Sequence, residues 1–282
     1  MKNNSLVIMA GGASSRMKQS LETSNLDTLV KEVAKNQHKS LIPIGDAKRP
    51  MLYYLLKNAH KAGIQKVYVI TSKENSAFYD FLDSIKNEEI LSKLNINFVI
   101  QYIPDEREKP LGTADALQQC LEQYENLLEE NFTVCNGDNL YSEESLKELA
   151  KKRTTPNALI AYSGKALGHS EDRIAKFALL DFSEEYFLVD IIEKPSKEEL
   201  KTYKSKHSEL WVSMNIFNFY GGDIYPYLKK CPIDSIRNEK ELPQAVQAMN
   251  HDKNRQLICI PRAEVIPDLT NADDIKNMNL YL

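Results

Sequence analysis

Chemistry in this chain begins at residues 6–17, LVIMAGGASSRM. An apolar run from Leu6 to Ala10 feeds into Gly11-Gly12, then small residues, then Arg16. The pattern predicts a buried strand that opens onto a tight loop. Glycine permits positive φ and carries no Cβ, so successive N–H groups can turn toward one anion. Arg16 adds a fixed, permanently charged fork suited to phosphate. Together these features point to a nucleoside triphosphate site, although an apolar strand ending in Gly-Gly is equally a common turn. Two familiar phosphate motifs are absent. The spacing is not G-x-G-x-x-G, and G-x-x-x-x-G-K-[ST] occurs nowhere; Gly164-Lys165 is followed by Ala166, which offers no hydroxyl to a metal.

Four further segments join the glycine loop as candidates: His38 to Gly45, Lys109 to Ala116, Cys135 to Asn139 and Ile191 to Pro195, with Asn215 and Asp268 later in the chain. Each has a plain reading as well: Asp138 after glycine and Asp268 after Pro267 suit Asx-type turns. The five histidines are scattered and read as structural or surface groups, and the four cysteines form no C-x-x-C pair. Buried thiols in a reducing compartment are therefore expected rather than a metal or disulfide site. With 36 basic and 40 acidic residues the net charge is −4, which excludes a global field for nucleic acid. The N-terminus lacks a signal-peptide pattern, and no apolar stretch approaches a membrane span of ~20 residues. A cytoplasmic protein without membrane or nucleic-acid partners is expected.

The elements that must position these residues alternate through the first half. Strands are expected at Leu6–Ala10, Lys66–Thr71, Asn97–Tyr102, Phe132–Cys135 and Ala158–Tyr162, with helices near Met51–Ala62, Thr113–Tyr124 and Ser142–Lys151. Alternation of this kind predicts a doubly wound, mainly parallel sheet whose ligands sit beyond the carboxyl ends of the strands. The second half reads as strands at Lys176–Leu180, Tyr186–Ile192 and Trp211–Phe219, an antiparallel addition forming the far wall of a cleft. Helices near Lys197–Tyr203, Glu241–Asn250 and Ala272–Met278 complete it. One domain, 1–282, with a nucleotide lobe at about 1–150 and a second lobe at about 151–282, follows. Residues 18–38 stand apart: Leu26, Leu29, Val30 and Val33 recur at helical spacing, an inserted helix that either packs on the surface or serves as a lid or subunit contact.

On these motifs the chain resembles the sugar-1-phosphate nucleotidyltransferases (nucleoside-diphosphate-sugar pyrophosphorylases). The family's G-G-x-x-[ST]-R loop is similar to Gly11–Arg16, and P-K-x-L-x-P to Lys39–Pro43. Its L-G-T-A is Leu111–Ala114, G-D is Gly137-Asp138, E-K-P is Glu193–Pro195, and the late D-x-G-T-x-x-D resembles Asp268–Asp274. Six matches in the family's order span nearly the whole chain. The resemblance implies an α/β, Rossmann-like (GT-A-like) mixed sheet with a smaller antiparallel sugar-binding lobe, and transfer of a nucleoside monophosphate from an NTP to a sugar 1-phosphate. The acceptor phosphate is already ~−1.5 to −2 at pH 7, so positioning and charge neutralisation replace a general base. By resemblance Arg16, Lys39 and Asp138 are catalytic. Ala10, Gly11, Gly12, Gly112 and Thr113, with Arg16 and Lys39, line the nucleotide. Asn136, Glu193, Lys194 and Asn215 hold the sugar phosphate, and Asp138 and Asp268 take Mg²⁺.

Departures bear on substrate choice. Arg16 and Lys39 lie 23 positions apart, so Lys18 competes with Lys39 for the phosphates, and His38 replaces the family's proline. The sugar-pocket stretch reads Arg173-Ile174-Ala175-Lys176-Phe177, with Ala175 in place of glycine, and no glutamine before Leu111 lies nearer to it than Gln101. The base and sugar are left open. A nucleotidyltransferase for a non-sugar phosphate and a non-catalytic regulatory relative are the alternatives; a GT-A glycosyltransferase lacks its D-x-D here. The expected chain holds no C-terminal left-handed β-helix. A homo-oligomer is the general expectation.

Overall fold

The computed structural model describes residues 3–282 apart from 13, 25, 236 and 253–256. Ser5–Met9 (β1) is buried from Ser5 to Ile8, as a strand at the centre of a parallel sheet must be. It is followed by a short hairpin, Pro43–Ile44 (β2) with Arg49–Pro50 (β3), and then Lys66–Thr71 (β4), Asn95–Ile100 (β5) and Asn131–Asn136 (β6). β1 pairs in parallel with β4 and β6, and β4 with β5. The later strands are Asn157–Ser163 (β7), Ala178–Phe182 (β8), Leu188–Ile192 (β9), Trp211–Tyr220 (β10) and Leu257–Arg262 (β11). The described sheet runs β11-β7-β10-β6-β1-β4-β5, with β8 and β9 branching antiparallel from β10. The expected α/β architecture is thus present, and the antiparallel addition continues the same sheet.

Successive side chains of β1 point to opposite faces. Leu6 and Ile8 join one core with Leu52, Leu55 and Leu56 of the helix Met51–Lys61, while Val7 joins the other with Leu117 and Leu121 of Thr113–Gln123. Helices therefore cover both faces. Among the elements that go beyond the sequence reading, three have a clear local cause. In Ser76–Ile85, Phe78, Phe81 and Ile85 bury one stripe. Gly221–Lys230 carries two glycines and an interior Pro226, which mask its helical pattern. β11 contains Pro261, a residue confined to edge strands, and β11 is indeed last in the sheet.

The insertion forms two helices, Ser15–Ser20 and Thr28–Asn36. Val30 and Ala34 are buried with Met17 and Leu21 against Ile275 and Met278 of the helix Ala272–Met278. The Leu29 side chain lies outside the described residues. Ser20 Oγ accepts from Ala272 N–H at 2.9 Å, and none of the described residues 28–37 lines either of the two cavities described below. The segment packs on the helix Ala272–Met278. All four cysteines are buried and unpaired. Among the described residues no helix is long and apolar enough to cross a membrane.

Candidate functional site

The carboxyl ends of the parallel strands are stitched to one another. Ala10 N–H donates to Ile70 O at 2.8 Å, Gly137 N–H to Met9 O at 2.9 Å, and Gln101 N–H to Thr71 O at 2.9 Å. Above them lies a cavity of about 370 Å³ lined by Gly11, Gly12, Arg16, Lys39, Gln101, Gly112 and Thr113, among others. Ala10, the residue after β1, is 1% exposed and is not among the residues that line this space. The left-handed residue of the loop is Ser14 (φ 54); Gly11 and Gly12 have no positive φ, and Ala13 lies outside the described residues. Gly11 lies close under Gln101. A Cβ there would stand 3.1 Å from Gln101 Oε1.

Gln101 is named in the sequence reading but given no role there, because it stands ten positions before Leu111. It is the first residue beyond β5, and the end of a parallel strand is where ligands sit. Its Nε2 donates to Gly112 O and Asp115 Oδ2, both at 3.1 Å, which aims Oε1 at Gly11. Gly112 has φ 116, and a Cβ on it would stand 2.4 Å from Lys240 O. The same backbone braces the loop: Lys240 N–H donates to Leu111 O at 2.6 Å and Ala114 N–H to Lys240 O at 2.9 Å. Thr113 lines the space, but its hydroxyl accepts from Leu242 N–H at 2.8 Å at the start of the helix Leu242–Asn250. Its first duty is to that helix.

A second cleft, of about 1140 Å³, opens from the first, and Arg16, Thr113, Asn136, Asp138, Glu239 and Thr270 line both. Arg16 is exposed at this junction. Lys39 Nζ forms an ion pair with Asp138, both side chains being less than a fifth exposed. Lys18 lines neither space, so Lys39 is the lysine that the fold brings to Asp138. His38 accepts from Ser40 N–H through Nδ1 at 3.2 Å, which leaves the proton on Nε2. Burial and the neighbouring Lys39 charge pull its imidazole down to about 4.

In the larger cleft Glu193 and Lys194 follow β9 directly. Lys194 (φ 45) and Asn215 (φ 55) both hold left-handed backbone, an uncommon state for such residues. Asn215 sits where β10 shifts register between Ser213 and Phe217, and such bulges re-aim side chains. Buried Tyr141 donates to Met214 O at 2.6 Å and pins the bulge. Burial and the nearby Glu241 push the Glu193 carboxyl up. Asn136, Glu193, Lys194 and Asn215 are thus brought to one cleft. Arg173, Lys176 and Arg237 line it too, and Arg237 pairs with Glu241.

Asp268 reaches the junction by strand-like pairing of residues 138–140 with 267–269. Leu269 N–H donates to Asp138 O at 2.8 Å and Leu140 N–H to Pro267 O at 2.9 Å. Burial raises the Asp268 carboxyl, against the opposing pull of Arg173, with which it is paired. Among the described residues no three histidine, cysteine or carboxylate groups converge on one metal position.

A family model described as nucleotidyl transferase matches residues 5–280. The chain is similar to the glucose-1-phosphate adenylyltransferase small subunit of Triticum aestivum, 27% identical over 200 residues, which cover 69% of this chain and 38% of that protein. It is also similar to the bifunctional protein GlmU of Methanococcus maripaludis, 24% identical over 204 residues, covering 70% and 42% respectively. The matched part spans about two fifths of these curated relatives. A crystal structure of UDP-glucose pyrophosphorylase with UDP-glucose shares the fold, with a TM-score of 0.73 at 16% identity over 99% of this chain and 97% of that one.

Proposed function

This chain belongs to the nucleotidyl transferase family, and from that premise we propose that it transfers a nucleoside monophosphate from an NTP to a sugar 1-phosphate. The observation that carries the reading is the pair of confluent cavities, which meet at Arg16, Asn136 and Asp138. The nucleotide occupies the smaller, with Gln101 Oε1 accepting from a base N–H. The acceptor occupies the larger. An oxygen of the acceptor phosphate forms a bond to the α-phosphorus, the bond from that phosphorus to the β-bridging oxygen breaks, and pyrophosphate leaves. No general base is required, because the attacking oxygen is already anionic. Arg16 neutralises charge gathering on the leaving pyrophosphate, Lys39 the α-phosphate region, and Lys194 the acceptor phosphate.

Magnesium suits the donors at the junction. It is commonly held by one or two carboxylates together with substrate phosphates, rather than by a full protein cage. Asp138 and Asp268 supply those two carboxylates on adjacent backbone segments, each neutralised here by a basic partner. Once bound, the ion supplies Lewis-acid polarisation of the phosphoryl oxygens. The names of the relatives support glucose 1-phosphate and related sugar phosphates as acceptors. The test is pyrophosphate release with Mg²⁺ across UTP, dTTP, CTP, ATP and GTP against a panel of sugar 1-phosphates. One NTP and one sugar phosphate should support turnover, and Asp138→Asn should lower it by about 100-fold or more. Silence across the panel, with nucleotide still bound, overturns the sugar-phosphate reading.

A further inference from the structure

Arg173 stands on the helical turn Glu171–Ile174 just before β8, and its guanidinium lies between two carboxylates. Its fork reaches them through different nitrogens. Nη2 pairs with Asp268 Oδ1, and Nη1 lies 3.2 Å from Asp274 Oδ1. The other oxygen of each carboxylate is held by neighbours on its own strand of chain. Thr270 Oγ1 donates to Asp268 Oδ2 at 3.0 Å, and the Thr270 and Asn271 N–H groups donate to Asp274 Oδ2 at 3.0 and 2.8 Å. The oxygens on Arg173 are therefore the ones that local bonding leaves over for a cation.

The two carboxylates differ in what remains without Arg173. Asp274 keeps two backbone N–H donors at the start of Ala272–Met278, whereas Asp268 keeps one hydroxyl. Asp268 is 9% exposed, and a buried carboxylate stays ionised only with a counter-charge beside it. A guanidinium and a divalent ion both meet that need, and both would use Oδ1.

We propose that Arg173 is the built-in counter-cation of Asp268, occupying that oxygen in the metal-free protein and moving onto Asp274 alone when a divalent ion is bound. Metal loading is then an exchange of one cation for another, and Arg173 sets its affinity. Asp274 is the resting place that keeps the released arginine out of solvent. The inference deepens the reading of Asp268 as a metal ligand and rests on it.

The test is calorimetric titration of Mn²⁺ into the free protein without nucleotide. Arg173→Met should bind the ion about tenfold more tightly than the parent chain, within the usual range of coupling between two sites. Arg173→Lys, which keeps the charge without the two-sided fork, should fall between them. Lys176→Met removes an equal charge from the same cleft without touching Asp268, and should stay within about twofold of the parent. Melting with and without Mn²⁺ covers the case of a poorly folding Arg173→Met, since its Tm should rise further with the ion than that of the parent. Unchanged or weaker Mn²⁺ binding in Arg173→Met, or an equal gain in Lys176→Met, overturns the exchange. Asp268→Asn separates the two ideas: if it binds Mn²⁺ as tightly as the parent, the metal reading itself fails. If it loses the ion while Arg173→Met gains nothing, only the exchange fails.

Discussion

The two cavities that meet at Arg16 are built by opposite means. The smaller is framed by backbone, with strand ends stitched at 2.8–2.9 Å, a glycine loop and Gly112 pressed against the Lys240 main chain, and Arg16, Lys39 and Gln101 line it within that frame. The larger is made of charged side chains, several of them committed to one another, on backbone that turns left-handed at Lys194 and Asn215. A backbone surface is set as soon as the sheet forms and suits a ligand common to a whole family. A surface of ion pairs changes its chemistry with each substitution and suits the partner that varies. The first is broken by adding atoms, the second by removing charge.

Gly112→Ala should produce the largest effect. Its methyl meets backbone at 2.4 Å, in a conformation that L residues rarely adopt. Strain and overpacking together should cost about 3 kcal/mol or more, read by urea unfolding. Gly12→Ala meets nothing within 4 Å and should change stability by no more than about 0.5 kcal/mol, while weakening NTP binding. Equal destabilisation by the two would mean that the loop is not braced as described.

Lys194→Gln should act on the other half alone. Losing one charge-assisted contact to a phosphate is worth about 1.5–3 kcal/mol, so KM for the sugar phosphate should rise roughly 10- to 100-fold. KM for the NTP should hold within about threefold, as a group confined to the acceptor cleft predicts. Parallel rises in both would erase the division between the cavities.

A pH slope tests the brace beside Lys39. His38 titrates near 6.5 when unfolded and is pulled down to about 4 in the fold. The unfolded chain therefore binds the extra proton first as pH falls, so this contribution to stability is complete above 6.5 and drains away between 6.5 and 4. His38→Gln should flatten that part of a denaturation-versus-pH profile. An unchanged slope would place the titrating group elsewhere.

Legibility in the sequence divides along the same line. Gly11, Asp138, Glu193 and Lys194 could be read because each closely follows an apolar run that marks a strand, and Gly112 from the L-G-T-A motif before a helical pattern. Gln101 could have been found by the same rule, as the first residue after β5, but its distance from Leu111 hid it. Arg173 and Arg237 gave no such signal. Neither ends an apolar run, and what makes them part of the site is the return of residues 231–243 and 267–274 to the same cleft.

The sequence by itself determined the strands, the glycine turns and the order of the motifs. Those depend on periodicity, on a missing Cβ and on neighbours a few residues apart. Only the tertiary structure decided the partnerships. Lys39 meets Asp138 across 99 positions and Arg173 meets Asp268 across 95. Contacts of that range follow from which strand ends the sheet order sets side by side, and no local preference of either residue encodes them.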